Sequence, residues 1–238
     1  MAQVEHLAWD SEFFGMPVVR IEGAALSPDQ LSAELDALKQ RGRGLAYWFS
    51  RDLDTPTDAE LAALGGTLAD RRTTLSRPLD STPSGSVTAN VEVFEAAIPT
   101  PAMRALAIEA GAYSRFRVDE RFGAERFESL YSRWMEVSLT GELADLCLVT
   151  RDGEREIGVI TVMHRGDCGR IGLMAVAPDK RQHGLASDLV HAALDDMVDH
   201  ECSSAEVVTQ ERNRASIQLY ESCGFAIRGV ERVYHFWL

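Results

Sequence analysis

Residues 171–187 read I-G-L-M-A-V-A-P-D-K-R-Q-H-G-L-A-S, and the rest of the chain can be placed around them. An apolar run ends at Pro178, a residue that cannot donate to a sheet ladder. A polar loop with Arg181 and Gly184 follows, and Leu185 opens a stretch of helical period that lasts to Val198. The spacing predicts a strand, a loop and a helix in direct succession. The first turn of such a helix offers unpaired N–H groups and the positive end of its dipole, which suits a diphosphate. Gly184 lets the backbone come close to an anion, Ala186 is small, and Arg181 adds a charge-assisted contact. The expected cradle therefore runs through Arg181, Gln182, His183, Gly184, Leu185, Ala186 and Ser187.

A second patterned segment lies downstream: Asn213-Arg-Ala-Ser-Ile-Gln-Leu-Tyr220-Glu-Ser-Cys-Gly224-Phe225. Asn213, Ser216 or Ile217, and Tyr220 fall on one face of a helix. Gly224 is placed to end it. Taken alone, Asn213 is equally a helix N-cap and Tyr220 equally a core residue with a polar tip.

Upstream, three strands are expected at Leu146–Thr150, Glu156–His164 and Arg170–Val176, joined by Asp152-Gly153 and Gly166-Asp167. Helices are expected from Thr100-Pro101 onward and over Ala124–Leu139, with a loop at Tyr113–Phe122. After the Asn213 helix come two closing strands, near Phe225–Arg228 and Val233–Trp237. The N-terminal part alternates short strands (Pro17–Ile21, Leu45–Phe49, Thr73–Arg77) with helices opened by capping boxes at Ser27/Gln30 and Thr57/Glu60. Residues 80–90 carry turn formers and no hydrophobic period. They suggest a boundary between a smaller α/β unit, 1–80, and a main domain, 90–238. The order of elements implies an α/β fold with a mixed sheet and helices on both faces.

Bulk properties exclude several classes. A net charge of −13 over 238 residues disfavours nucleic acid and anionic membranes. The sequence has no apolar run of the ~18–20 residues needed to span a bilayer. Met1–Phe14 lacks a signal-peptide pattern, so a cytoplasmic address is expected. Cys147, Cys168, Cys202 and Cys223 show neither paired nor metal-like spacing, which points to free thiols and no metal site.

The stretch L-M-A-V-A-P followed by R-Q-H-G-L-A resembles the acetyl-CoA motif of the GNAT acyltransferase superfamily. Asn213 through Phe225 resembles the second half of that cofactor site. The resemblance implies an acetyl-CoA-dependent N-acetyltransferase with a GNAT core. In it Met174, Ala175 and Val176 bind the pantetheine arm, and the Met174 N–H polarises the thioester carbonyl. Asn213 contacts the same arm, and Tyr220 protonates the departing thiolate. A phenol of ordinary pKa near 10 can act as an acid towards a thiolate whose conjugate acid lies near ~8.5. His164, Glu211 and Asp119 are candidate bases by residue type only.

Two further segments, Trp9-Asp10-Ser11-Glu12-Phe13-Phe14-Gly15 and Ser114-Arg115-Phe116-Arg117-Val118-Asp119, resemble the branch that acetylates amino sugars on a dTDP carrier, the dTDP-fucosamine acetyltransferases. This implies a nucleotide-linked amino-sugar acceptor held by Phe14, Arg115 and Phe116, since guanidinium pairs with phosphate and rings stack on sugar or base. An aminoglycoside, a protein N-terminus and a non-catalytic CoA-binding module remain as alternatives. A homodimer is expected to use the apolar segment 233–237.

Overall fold

The computed structural model describes residues 3–22, 26–42, 44–51, 56–79 and 90–238. The N-terminal elements are β1 (Val4–His6), α1 (Ala8–Phe14), β2 (Val18–Ile21), α2 (Pro28–Arg41), β3 (Leu45–Ser50), α3 (Asp58–Ala63) and β4 (Gly66–Pro78). Then follow β5 (Val91–Val93), α4 (Pro101–Ala110), α5 (Arg115–Val118), α6 (Gly123–Leu139), β6 (Leu146–Asp152), β7 (Arg155–Arg165) and β8 (Cys168–Val176). The chain closes with α7 (Leu185–Asp199), β9 (Ser204–Gln210), α8 (Arg214–Ser222) and β10 (Ala226–Trp237).

Local chemistry explains most of the boundaries. Both capping boxes form: Ser27 and Gln30 exchange side chain-to-backbone bonds at the start of α2, and Thr57 and Glu60 do the same at α3. Thr100 caps α4 through the Met103 N–H. The αL residue Gly153 makes the tight turn between β6 and β7.

Among the described residues the strands form one sheet in the order β1-β2-β3-β10-β4-β9-β8-β7-β6-β5. Pairings are antiparallel except β2–β3 and β8–β9, so the expected mixed sheet is present. Side-chain alternation sends Tyr47, Val149 and Val159 to one face, under α1, α4, α5 and α6. Trp48 packs on the other face under α2 and α3. Ile160 and Val162 face α7.

Several expectations change. The loop at Tyr113–Phe122 contains α5 and a 3₁₀ turn over Glu120–Phe122, because Ser114 and Asp119 sit at the starts of successive turns. Strand β4 extends well before Thr73: the charged run Asp70-Arg71-Arg72 hides a strand that pairs on both sides. The two closing strands are one, β10, with a register shift between Ile227 and Gly229. β10 lies between β3 and β4 with Val233–Phe236 buried. The segment expected at a homodimer interface is thus an interior strand, and the homodimer expectation loses its basis. The suggested boundary at 80–90 falls almost wholly outside the described residues, and the sheet spans it, with β4 held between β9 and β10. All four cysteines are free thiols. Among the described residues no helix is long and apolar enough to cross a membrane.

Candidate active site

β8 and β9 run parallel but pair only from Cys168–Ile171 to Ser204–Val207, although both strands continue further. Beyond Ile171 they part, and a cleft of about 980 Å³ opens between Gly172–Val176 on one side and Val208–Gln210 on the other.

The ladder shows which edge of β8 faces this gap. The Ala177 N–H donates to Ile157 O at 2.8 Å, which makes Val159–Ala175 the next hydrogen-bonded pair in register. Antiparallel pairs alternate between bonded and non-bonded, so the backbone groups of Met174 and Val176 point away from β7, towards the cleft. Both residues line it.

The loop after β8 also lies here. Gln182 and Gly184 both have positive φ, 66° and 81°. Gly184 is the N-cap of α7, and a Cβ there would meet nothing within 4 Å. The glycine is therefore required by its backbone angle and not by crowding within the protein. The first N–H groups of α7, at Leu185, Ala186 and Ser187, have no partner inside the helix. Arg181 lines the cleft, half exposed, with its guanidinium on Glu109 at 2.6 Å. Ala186 lines the cleft as well, whereas His183 turns its Nδ1 to Arg181 O.

Asn213 and Tyr220 border the opposite wall. Asn213 is the N-cap of α8, its Oδ1 accepting the Ser216 N–H at 3.2 Å. Tyr220 is buried, packed edge-on against Phe225. Burial pushes its phenol above its ordinary pKa, with a smaller contribution from Cys223. The hydroxyl is therefore protonated throughout the neutral range.

The remaining predicted residues are distributed differently. Phe14 and Phe116 are core, 7% and 5% exposed, within a cluster that also holds Phe122; neither reaches the cleft wall. The Arg115 guanidinium lies 4.0 Å from the Tyr47 ring centre and 4.6 Å from that of Phe116. Of the three bases named by residue type, none borders the cleft. Asp119 accepts bonds from His235 Nδ1 (2.8 Å), Trp237 Nε1 (2.9 Å) and Arg121 Nε (2.8 Å). These donors outweigh burial and hold its carboxyl far below the usual range. Glu211 faces Arg71 at 3.8 Å, and His164 binds Asp196 elsewhere.

One polar residue had no sequence signal. Asp70, on β4, is 5% exposed, and burial pushes its pKa up to about 7 against the opposing charges of Arg115 and Arg212. Its Oδ1, Arg115 Nη1 and His235 Nε2 are buried without a hydrogen-bond partner. The Arg115 charge acts on both Asp70 and His235, and those of Arg115 and Asp70 also reach Tyr131, which lines the cleft. Unpartnered buried polar atoms are costly, and their grouping marks a place where water or ligand supplies the missing bonds. Only pairing in the sheet reveals this, because three charged residues in a row carry no strand period.

The profile described as the acetyltransferase (GNAT) family matches residues 110–225. The chain is 30% identical over 208 residues to mycothiol acetyltransferase of Thermomonospora curvata, covering 85% of this chain and 67% of that protein. The chain belongs to the GNAT acetyltransferase family. It is 28% identical over 230 residues to the dTDP-fucosamine acetyltransferase of Escherichia coli O6:H1, covering 94% of this chain and 93% of that one. A solved GCN5-related N-acetyltransferase from Sphaerobacter thermophilus shares the fold, with a TM-score of 0.64 at 16% identity, covering 98% of this chain and 76% of that chain. As a GNAT protein the chain is an acetyl-CoA-dependent N-acetyltransferase.

Proposed function

We propose that this GNAT acetyltransferase acetylates the amine of a nucleotide-linked amino-dideoxy sugar of the dTDP type, a step of surface-polysaccharide or antibiotic-sugar assembly in the cytoplasm. The observation that carries the acyl-transfer site is the parting of β8 from β9, which turns the Met174 N–H into the cleft bordered by Tyr220. Acetyl-CoA supplies the thioester. Its diphosphate lies on the N–H groups from Gln182 to Ser187, with Arg181 beside it, and its pantetheine arm lies along Met174–Val176 and Asn213. The Met174 N–H is aimed where negative charge develops on the thioester oxygen. Tyr220, kept protonated by burial, gives its proton to the leaving thiolate. Asp70 does not border the cleft either, but its charge reaches Tyr131, which does; we assign it the proton of the attacking amine by way of bridging water, a role its raised pKa suits at neutral pH.

The acceptor assignment is supported by the end-to-end similarity to the dTDP-fucosamine enzyme and by the half-buried Arg115, whose Nη1 is buried and unpartnered. Phe116, in contact with Arg115 and backed by Phe14, would then shape the acceptor side from behind. On this reading the division of the chain near 80–90 is one of labour: the second part holds the cofactor and the first helps to hold the acceptor. The similarity to mycothiol acetyltransferase favours a second reading, an acceptor of the mycothiol type. CoA release measured against dTDP-amino sugars, mycothiol-type amines, aminoglycosides and peptides separates these. Turnover with dTDP-amino sugars alone is the expected result, and turnover confined to any other class overturns the acceptor assignment.

A further inference from the structure

His164 lies outside the catalytic cleft, near the end of β7, and faces the last turn of α7. Its Nε2 is 2.9 Å from Asp196 Oδ2. His200, one helical turn after Asp196, brings its Nδ1 to 3.4 Å from Asp196 Oδ1. The two imidazoles stack with centres 4.1 Å apart and planes 16° from parallel. One donor atom from each of the three residues lies within 4.8 Å of the other two. We propose that His164, Asp196 and His200 form a binding site for a zinc-class divalent cation, separate from the acetyl-transfer site, that fastens the C-terminal end of α7 to β7.

The spacing suits such an ion. Four ligands at 2.0–2.2 Å in a tetrahedron stand about 3.4 Å apart; the Asp196 carboxylate lies between the two rings, Oδ2 2.9 Å from His164 Nε2 and Oδ1 3.4 Å from His200 Nδ1, and one donor atom from each residue lies within 4.8 Å of the others. Two imidazoles and a carboxylate select zinc, cobalt or nickel over calcium and magnesium, which favour all-oxygen sets. Three protein donors leave one position for water.

The surroundings complete the site. His164 Nδ1 lies 3.9 Å from Asp145 Oδ2, and Asp145 is held in turn by the His164 backbone N–H at 2.7 Å and by Arg165 Nη1 at 3.3 Å. When the cation takes the Nε2 lone pair, the ring proton of His164 resides on Nδ1 on the side of the Asp145 carboxylate, 3.9 Å away, which must close by about 1 Å to make the hydrogen bond that usually supports a metal-bound histidine. His200 Nδ1 sits against Asp196 O at 2.8 Å. On binding the cation its ring proton moves to Nε2, and the Asp196 carbonyl keeps the His200 backbone N–H at 3.0 Å. The cation takes the neutral imidazole, and binding releases any proton the ring carries. Asp145, Asp196 and Asp199 all act on His200, and the negative end of the α7 dipole adds to their attraction for a cation. The expectation of a chain without metal does not extend to this corner.

α7 has 15 residues, so the cluster stands about 22 Å along the helix from the anion loop. Acetyl transfer is thus a poor readout, and binding must be measured directly. Full-length protein stripped with EDTA would be titrated with ZnCl2 by calorimetry and with CoCl2 by visible absorption, alongside melting temperatures. The expected result is one saturable equivalent, a cobalt band of tetrahedral intensity and a rise in melting temperature with zinc. His200→Ala removes a half-exposed ring and preserves the fold; it should lose at least tenfold in affinity together with the cobalt band. Asp145→Asn should weaken binding by about 10–100-fold, as loss of a supporting partner does. Equal binding by His200→Ala, or no saturable zinc binding by the intact chain, overturns the proposal.

Discussion

Thr161 Oγ1 accepts the N–H of Leu173 at 2.8 Å at the point where β7 and β8 change register. Between the pairs Val162–Ile171 and Ile160–Met174, β8 has one residue more than β7. This bulge lies where β8 leaves β9, and bulges re-aim the strand that carries them. Gly172 is needed at the same spot, since a Cβ there would stand 2.6 Å from Thr161 Oγ1. Thr161→Val removes the acceptor and leaves a backbone N–H unsatisfied, at a cost of about 1–3 kcal/mol. Urea unfolding should show that loss, and KM for acetyl-CoA should rise. Thr161→Ser, which keeps the hydroxyl, should restore most of both.

Tyr220→Phe keeps the ring against Phe225 and removes the proton. A positioned general acid contributes ~10²–10⁴-fold, so kcat should fall by that factor with KM for acetyl-CoA nearly unchanged. Melting temperature is the control. A variant with full kcat would reduce Tyr220 to a packing residue.

For Asp70 the pH dependence has a definite sign. Its folded pKa, about 7, lies above the ordinary 3.8, so the folded state holds the proton more tightly than the unfolded one. Its contribution to stability is full below pH 3.8 and is lost as pH rises through about 7. As a base it works only when ionised, so kcat/KM should climb over the interval around pH 7 in which stability declines. Asp70→Asn should flatten that limb and lower kcat by about 10²-fold or more, while stabilising the protein more at pH 8 than at pH 5. An unaltered pH–rate profile in the variant would exclude Asp70 from proton transfer.

His235 shows the opposite linkage. Burial depresses its pKa from 6.5 to about 4, against the pull of Asp119. The stability this contributes is present above pH 6.5 and is lost as pH falls towards 4. Denaturant titrations between pH 7 and 4 should show a decline that His235→Gln lessens, the slope falling by about one proton. An identical slope in both proteins would show that His235 does not titrate on unfolding.

The succession of β8, its loop and α7, and the helix α8, were legible in the sequence because their signals are local. A strand ending at Pro178, a glycine at the N-cap of a helix, and a capped helix bearing Asn213 and Tyr220 are each set by residues within one or two turns of each other. The capping boxes at Ser27 and Thr57 were legible for the same reason. The surroundings of Asp119 and Asp70 were not. Asp119 had the look of a base, yet three donors from α6's approach and β10 hold it ionised and occupied. Asp70 carried no signal in the sequence, and only the pairing of its strand between β9 and β10 buries it.

By itself the sequence determined the elements that nucleate locally and the family to which their spacing belongs. Only the tertiary structure decided which strand of the first half enters the sheet, that the segment 233–237 is interior, and which carboxylate is pushed towards neutral pKa. Those outcomes depend on burial and on charges brought together from separate parts of the chain, and no window of neighbouring residues contains them. His164 and the pair Asp196–His200 meet in the same way, across β7 and α7.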